Sequence, residues 1–207
     1  MPRVTEEHLE RRRQQILDAA QLCFARKGFH ETSMQDVFSQ SGLSAGAVYR
    51  YFTSKDDIIG ALVARAMGPL RDLLAETIRS ETPPAPAEVV WKLTTEIIKR
   101  SGPDGPLRLT PQVWALALVQ PAAAIPVRSA LLSMRELWRE YAVWMCEQGW
   151  LPADTDVDGF AKMVIGLLPG FLLQHLLLGD VDPDDFARGV EAHLPIMPYR
   201  PHGRERL

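Results

Sequence analysis

The chain has 207 residues, 46% hydrophobic and 24% charged, with a formal net charge of −3. That is apolar matter enough for a core in one or two domains, and charge enough for solubility, which excludes a disordered chain. The two cysteines, Cys23 and Cys146, are too few for a disulfide framework and too far apart for a metal knuckle, so a reducing compartment is expected.

The polar start MPRVTEEHLERRR leads into no signal-like apolar region. The most apolar stretch, 164–179, contains Pro169, Gln174 and His175 and falls short of the ~20 apolar residues of a membrane span. It reads as a buried helix, and the chain as cytoplasmic with no membrane contact. Residues 1–55 hold 8 Lys and Arg against 6 Asp and Glu, an excess that the rest of the chain reverses. Any contact with a polyanion is therefore expected at the N-terminal end. Proline marks the same division, since Pro2 stands alone before Pro69. No stretch alternates like a strand and no segment repeats, so the fold class expected is all-α.

A first helix is expected from Thr5 to Lys27, with Glu6 and Glu7 in its first turn and Gly28 ending it. Ile16, Ala19, Ala20, Cys23 and Phe24 form its buried stripe. Ser33 and Asp36 make a capping box for a short second helix carrying Met34, Val37 and Phe38. Ser41-Gly42-Leu43 is a tight turn, after which Ser44 caps a third helix over 45–51. Ser54 and Asp57 make a second capping box, opening a helix in which Gly68-Pro69 is expected to force a bend or break. Further helices are expected near 87–100, 110–119 (with Thr110 as its cap), 126–148, 156–178 and 183–194, and the tail from Pro195 is expected to be loose. The 156–178 helix is apolar on two faces, as if buried twice.

The second and third helices with the turn between them form a helix-turn-helix corner. Corners of this kind are common, and the side chains make this one informative. The third helix starts with small residues, Ser44, Ala45 and Gly46, that let a backbone approach DNA closely. Val48 and Phe52, four apart, anchor it to a core and leave Tyr49, Arg50 and Tyr51 outward. Phenol hydroxyls suit phosphates, and a guanidinium suits the bidentate edge of guanine. Lys55 sits in the first turn of the following helix, a poor place for its own helix dipole but a good one for holding a phosphate.

At this point residues 9–65 resemble the N-terminal domain of the tetracycline-repressor (TetR) family of bacterial transcription regulators. The resemblance rests on Ile16-Leu17-Asp18-Ala19-Ala20, Lys27-Gly28-Phe29, Thr32-Ser33-Met34, Ser41-Gly42-Leu43-Ser44, Gly46-Ala47-Val48-Tyr49-Arg50-Tyr51-Phe52, Ser54-Lys55 and Ile58-Ile59. It implies an N-terminal three-helix helix-turn-helix DNA-binding domain, 1–53, followed by a larger helical bundle, 54–207, for ligand binding and dimerisation. It also implies a homodimer on operator double-stranded DNA, joined through the helices near 156–178 and 183–194. Carried over by position, the DNA-binding residues are Thr32, Ser33, Ser44, Tyr49, Tyr51 and Lys55 toward the backbone, with Ala45, Gly46 and Arg50 facing bases. Position 45 is often basic or proline in the family. Ala45 offers only an apolar contact such as a thymine methyl, which places direct readout mainly on Arg50.

The C-terminal region matches the family only in size, helicity and amphipathic layout. Its large apolar side chains describe a pocket for a lipophilic or aromatic small-molecule effector: Met67, Trp91, Trp114, Met134, Trp138, Tyr141, Met145, Phe171, Gln174 and His175. The same residues at helical spacing serve as ordinary core, His175 as an interface residue and Gln174 as a partner across a dimer. An enzyme acting on a small apolar substrate is the rival from another class. No nucleophile–base pair, metal-ligand spacing or phosphate loop supports it, so no catalytic residue, metal or cofactor is expected. A second rival is a DNA-binding protein whose C-terminal part only dimerises.

Overall fold

The structure, a computed structural model, describes residues 6–193. The expected Thr5 cap and the tail from Pro195 lie outside these residues. Among the described residues the fold is all-α, with ten helices and no strand. The chain forms two compact units. One comprises the residues up to Ala66 together with Arg108–Ser129, and the other Met67–Leu107 together with the residues from Ala130 on.

The first unit contains α1 (Glu6–Glu31), α2 (Met34–Ser41), α3 (Ala45–Tyr49), the first half of α4 (Lys55–Ile78), α6 (Thr110–Val119) and the start of α7 (Pro121–Glu147). It therefore takes in more than the expected segment 1–53, since the whole of α6 belongs to it. Its core is the predicted stripe of α1, Ile16, Ala19, Ala20, Cys23 and Phe24, all buried, joined by Leu17, which that stripe left out, and by Phe29, Val37, Phe38, Val48, Phe52, Ile58 and Ile59. Phe24 stacks on Phe29 with ring centroids 4.4 Å apart. Arg65 of α4 pairs with Asp18 of α1 at 2.6 Å, and Gln120 donates to Asp56 at 3.0 Å, tying the end of α6 to the start of α4.

Gly28 ends the regular part of α1 as expected, but the chain resumes a helical turn beyond it. The helical run is kinked there, Gly28 standing at φ 76°, ψ 171°. That region of the backbone map is open essentially to glycine alone. Thr32 then donates to the Gly28 carbonyl at 2.7 Å. The Ser33–Asp36 capping box forms in both directions, and Gly42 closes α2 in the left-handed conformation, φ 68°. Lys27 of α1 meets Asp36 of α2 at 2.5 Å.

The second unit contains the rest of α4 and α7, with α5 (Pro86–Arg100), α8 (Val157–Val164), α9 (Leu167–Leu177) and α10 (Pro183–His193). Helix α5 packs on α9 and α10, and its Val89, Val90, Leu93 and Ile97 are buried. Arg79 and Glu140 form a two-armed ion pair, 2.8 Å on each arm. Tyr141 is buried and donates its hydroxyl to the Pro84 carbonyl. Burial pushes its phenol well above the usual range.

Four sequence expectations are corrected here. Helix α4 runs through Gly68-Pro69 without the break that is one of the two expected outcomes. The φ of proline is already helical, so the ring costs one hydrogen bond and crowding against the carbonyl four residues back, which the burial of the row Ala66, Leu70, Leu74 and Ile78 offsets. Helix α7 begins at Pro121 rather than at Pro126. The expected helix 156–178 is two, separated at Ile165-Gly166, which places Pro169 in the first turn of α9 where no intrahelical donor is needed. Thr110 is the first residue of α6 rather than its cap; it is buried, and its hydroxyl has no hydrogen-bond partner.

Two outcomes are expected of the helix-turn-helix corner. No atom stands within 4 Å of where a Cβ would sit on Gly28, so Gly28→Ala should cost backbone strain alone, about 1–3 kcal/mol, read as a lower urea midpoint at unchanged slope. Asp36 is held well below the usual carboxylate range, first by the Lys27 ammonium and then by the N–H and hydroxyl of Ser33. The native state thus binds fewer protons at Asp36 than the unfolded chain does. Its contribution is complete above about pH 4 and is lost as pH falls toward the folded value. Asp36→Asn should therefore lower stability at neutral pH and flatten the acid limb of a stability-versus-pH curve.

Candidate nucleic-acid interface

Helix α3 is short, and its ends are fixed by its neighbours in sequence. The Ser44 hydroxyl accepts from the Ala47 N–H at 3.3 Å, and the Tyr51 and Phe52 N–H groups close the far end on the Val48 carbonyl at 2.9 and 3.1 Å. Val48 is fully buried and Phe52 nearly so. This leaves Ser44, Ala45, Gly46, Tyr49 and Arg50 exposed, as their spacing predicts, while Tyr51 is half-buried. Tyr49 is 48% exposed, and its ring meets the Phe38 ring edge-on, centroids 5.4 Å apart. One face of that ring is thus fixed by α2 and the remainder is open to solvent.

The face so presented has small residues at its leading end, then an aromatic ring and a guanidinium. Such a surface admits a duplex closely and offers a fork donor to a base edge. Ser33 is exposed, with its hydroxyl joined to Asp36 at 2.7 Å. Two of the expected backbone contacts are placed otherwise. Thr32 is only 1% exposed, its hydroxyl turned inward to Gly28. Lys55 is half-buried and donates to the carbonyls of Phe29 at 2.8 Å and Thr32 at 3.0 Å. The second capping box is also shifted by one residue. Ser54 caps the Asp57 N–H at 3.1 Å, but the Asp57 carboxylate reaches Thr53, accepting from its N–H at 2.9 Å and from its hydroxyl. Thr53 is the main reason the Asp57 carboxyl titrates low.

Arginines 11–13 begin no free basic stripe. Arg11 pairs with Glu7 and Arg13 with Glu10 along α1, Arg12 donates to Gln15 at 2.8 Å, and Arg13 also lies over the Phe52 ring at 5.5 Å. A surface hollow of about 560 Å³ beside them is lined by Glu7, Glu10 and Asp18 as well as Arg11, a mixed face that does not favour a polyanion. The sequence pattern missed the inward turn of Lys55, because its acceptors lie 23 and 26 residues away along the chain.

The expected effector residues fall in both units. Trp114 lies in the first unit, on α6, and the others in the second. Met134, Trp138, Tyr141, Met145 and Phe171 are at most 1% exposed, and Met67, Trp91 and His175 are half-buried. His175 stacks parallel to Phe171 with centroids 6.2 Å apart. Gln174 is exposed and donates to Gly170 within its own helix at 3.3 Å. Among the described residues no group of His, Cys, Asp and Glu is arranged to hold a metal ion.

Residues 16–62 match the family described as bacterial regulatory proteins, tetR family. The uncharacterised HTH-type transcriptional regulator YfiR of Bacillus subtilis is 45% identical over 62 residues, 30% of this chain and 30% of its own. The HTH-type transcriptional repressor Rv1474c of Mycobacterium tuberculosis is 33% identical over 120 residues, 50% of this chain and 59% of its own. The chain thus spans less than two thirds of the length of either relative. In structure it is similar to the complex of triclosan with SmeT, the repressor of a Stenotrophomonas maltophilia efflux pump. The TM-score is 0.74 over 88% of this chain and 91% of that one, at 20% identity, a likeness of fold. The family and these relatives are transcription regulators, not enzymes. Residues 16–62 thus carry the helix-turn-helix segment of the TetR family of bacterial transcription regulators, within a chain of all-helical fold.

Proposed function

We propose that this chain is a DNA-binding transcriptional repressor, acting in the cytoplasm and released from a near-palindromic operator by a small apolar or aromatic effector. The observation that carries the reading is the outward pair Tyr49 and Arg50 on a capped helix seated on buried Val48 and Phe52. In this reading residues 1–53 bind DNA and residues 54–207 dimerise and bind effector. Ala45, Gly46 and Arg50 face bases, while Ser33, Ser44, Tyr49 and Tyr51 approach the backbone. Two copies present their reading helices about 34–36 Å apart, one turn of duplex.

The homodimer is proposed through α8, α9 and α10. Support comes from the exposed apolar side chains Met163, Leu173, Leu177 and Leu178, the last three clustered at the end of α9. Val157–Leu177 is apolar enough by composition to pass for a membrane span, yet only a third of it is buried within one chain. A partner copy accounts for that exposed surface in a soluble protein. Effector and DNA then favour states with different spacing of the two reading helices, and their effects on one another are reciprocal. Helix α4 contributes residues to both units and is the proposed lever. Triclosan in the related SmeT supports an effector of aromatic, lipophilic character.

A second reading has a specific observation behind it. The deep burial of Met134, Trp138, Tyr141, Met145 and Phe171 also suits a filled core whose only task is dimerisation. Selection of bound fragments from random or genomic DNA yields the operator. A screen for compounds that release the protein from it then separates the two readings, since a dimerisation core yields no releasing compound. Arg50→Ala should weaken operator binding by about 1–3 kcal/mol and relax preference at one base position per half-site. Unchanged footprints and base preference for that variant overturn the assignment of α3 as the reading helix.

A further inference from the structure

The helix-turn-helix segment, residues 33–54, is a loop of chain whose two ends meet at a single side chain. Its entry is the last turn of α1, where the carbonyls have no donors of their own. Its exit is the first residue of α4, Lys55. The Lys55 ammonium reaches back across the stem and donates to Phe29 O at 2.8 Å and Thr32 O at 3.0 Å, one residue before the cap of α2. The partial negative charge at a helix C-terminus favours a cation there. Its own position, at the positive end of α4, gives it no such partner. Thr32 completes the stem by turning its hydroxyl onto Gly28 O at 2.7 Å.

We infer that Lys55 is a positioning residue for DNA recognition, clamping the stem of the helix-turn-helix so that α3 is held in register, rather than a contact to a DNA phosphate. The inference rests on the DNA-reading function proposed above and assigns one of its residues a different part. Swinging the ammonium out to a phosphate leaves two half-buried carbonyls without a donor, a cost that opposes the swing. Held in place, Lys55 fixes both the entry to α2 and the exit from α3 through Tyr51-Phe52-Thr53-Ser54, in which Phe52 is a core residue.

The test compares the full-length wild type with Lys55→Met on two probes, the operator duplex recovered by selection and a duplex of random sequence, over a range of salt concentrations. Positioning predicts operator affinity about tenfold lower, with random-duplex affinity and both salt slopes unchanged, because no phosphate contact has gone. A uniform loss on both duplexes, with each slope shallower by about 0.9 per site lost, identifies a phosphate contact and overturns the inference. Unchanged affinity on both, in folded protein, also overturns it, leaving the clamp a matter of stability alone. Should Lys55→Met not fold, the ¹⁵N ammonium resonance of Lys55 in the wild type decides. Constancy on titration with random duplex supports the clamp, and a shift on binding overturns it. A wild type that binds neither duplex overturns the DNA-reading function itself, and the clamp's part in recognition with it.

Discussion

A helix of five residues is too short to persist in water, because the cost of nucleating it exceeds the few hydrogen bonds it gains. Helix α3 therefore depends on Val48 and Phe52, which are buried under it, and on the Ser44 hydroxyl that occupies one of its free N–H groups. The same two anchors determine what faces outward. Residues 48 and 52 are one turn apart, so those between them that are not drawn inward must face solvent. Tyr49 and Arg50 are exposed for that reason, and the residues before Val48 are small enough to leave the approach open.

The corner around α3 is assembled from backbone chemistry more than from bulk. Gly28 takes a conformation available almost solely to glycine, Gly42 takes the left-handed turn, and Ser33, Asp36 and Ser44 satisfy helix ends. Lys27 and Lys55, which a charge count registers as two cations for a polyanion, are both engaged within the protein, one with Asp36 and one with two carbonyls. The positive character of the N-terminal region is thus smaller at its surface than the composition implies. Arg50 is exposed on the outer side of the α3 corner, a fork donor of the kind suited to a base edge.

The second unit is governed by apolar burial. Its large side chains pack inward along α7 and α9, while the end of α9 keeps Leu177 and Leu178 outside at 77% and 65% exposure. An apolar stripe too wide for one chain's core is the structural counterpart of a helix that reads as apolar on two faces. Pro169 is accommodated in the first turn of α9, where its missing N–H is not needed.

Much of this was present in the order of residues: the all-helical class, the caps at Ser33 and Ser44, the left-handed Gly42, the buried stripe of α1 and the outward set on α3. All of these follow from interactions between residues within a few positions of one another, where spacing alone specifies the geometry. The remainder depends on residues brought together from distant parts of the chain. Helix α6 joins the helix-turn-helix unit, Trp138, Tyr141 and Phe171 are buried while Trp91 is only half-buried, α4 survives its proline and Lys55 turns inward to carbonyls 23 and 26 residues back. Each of those outcomes was decided by which surfaces meet when the helices pack, and a one-dimensional pattern carries the period of a helix but not the identity of what lies across from it.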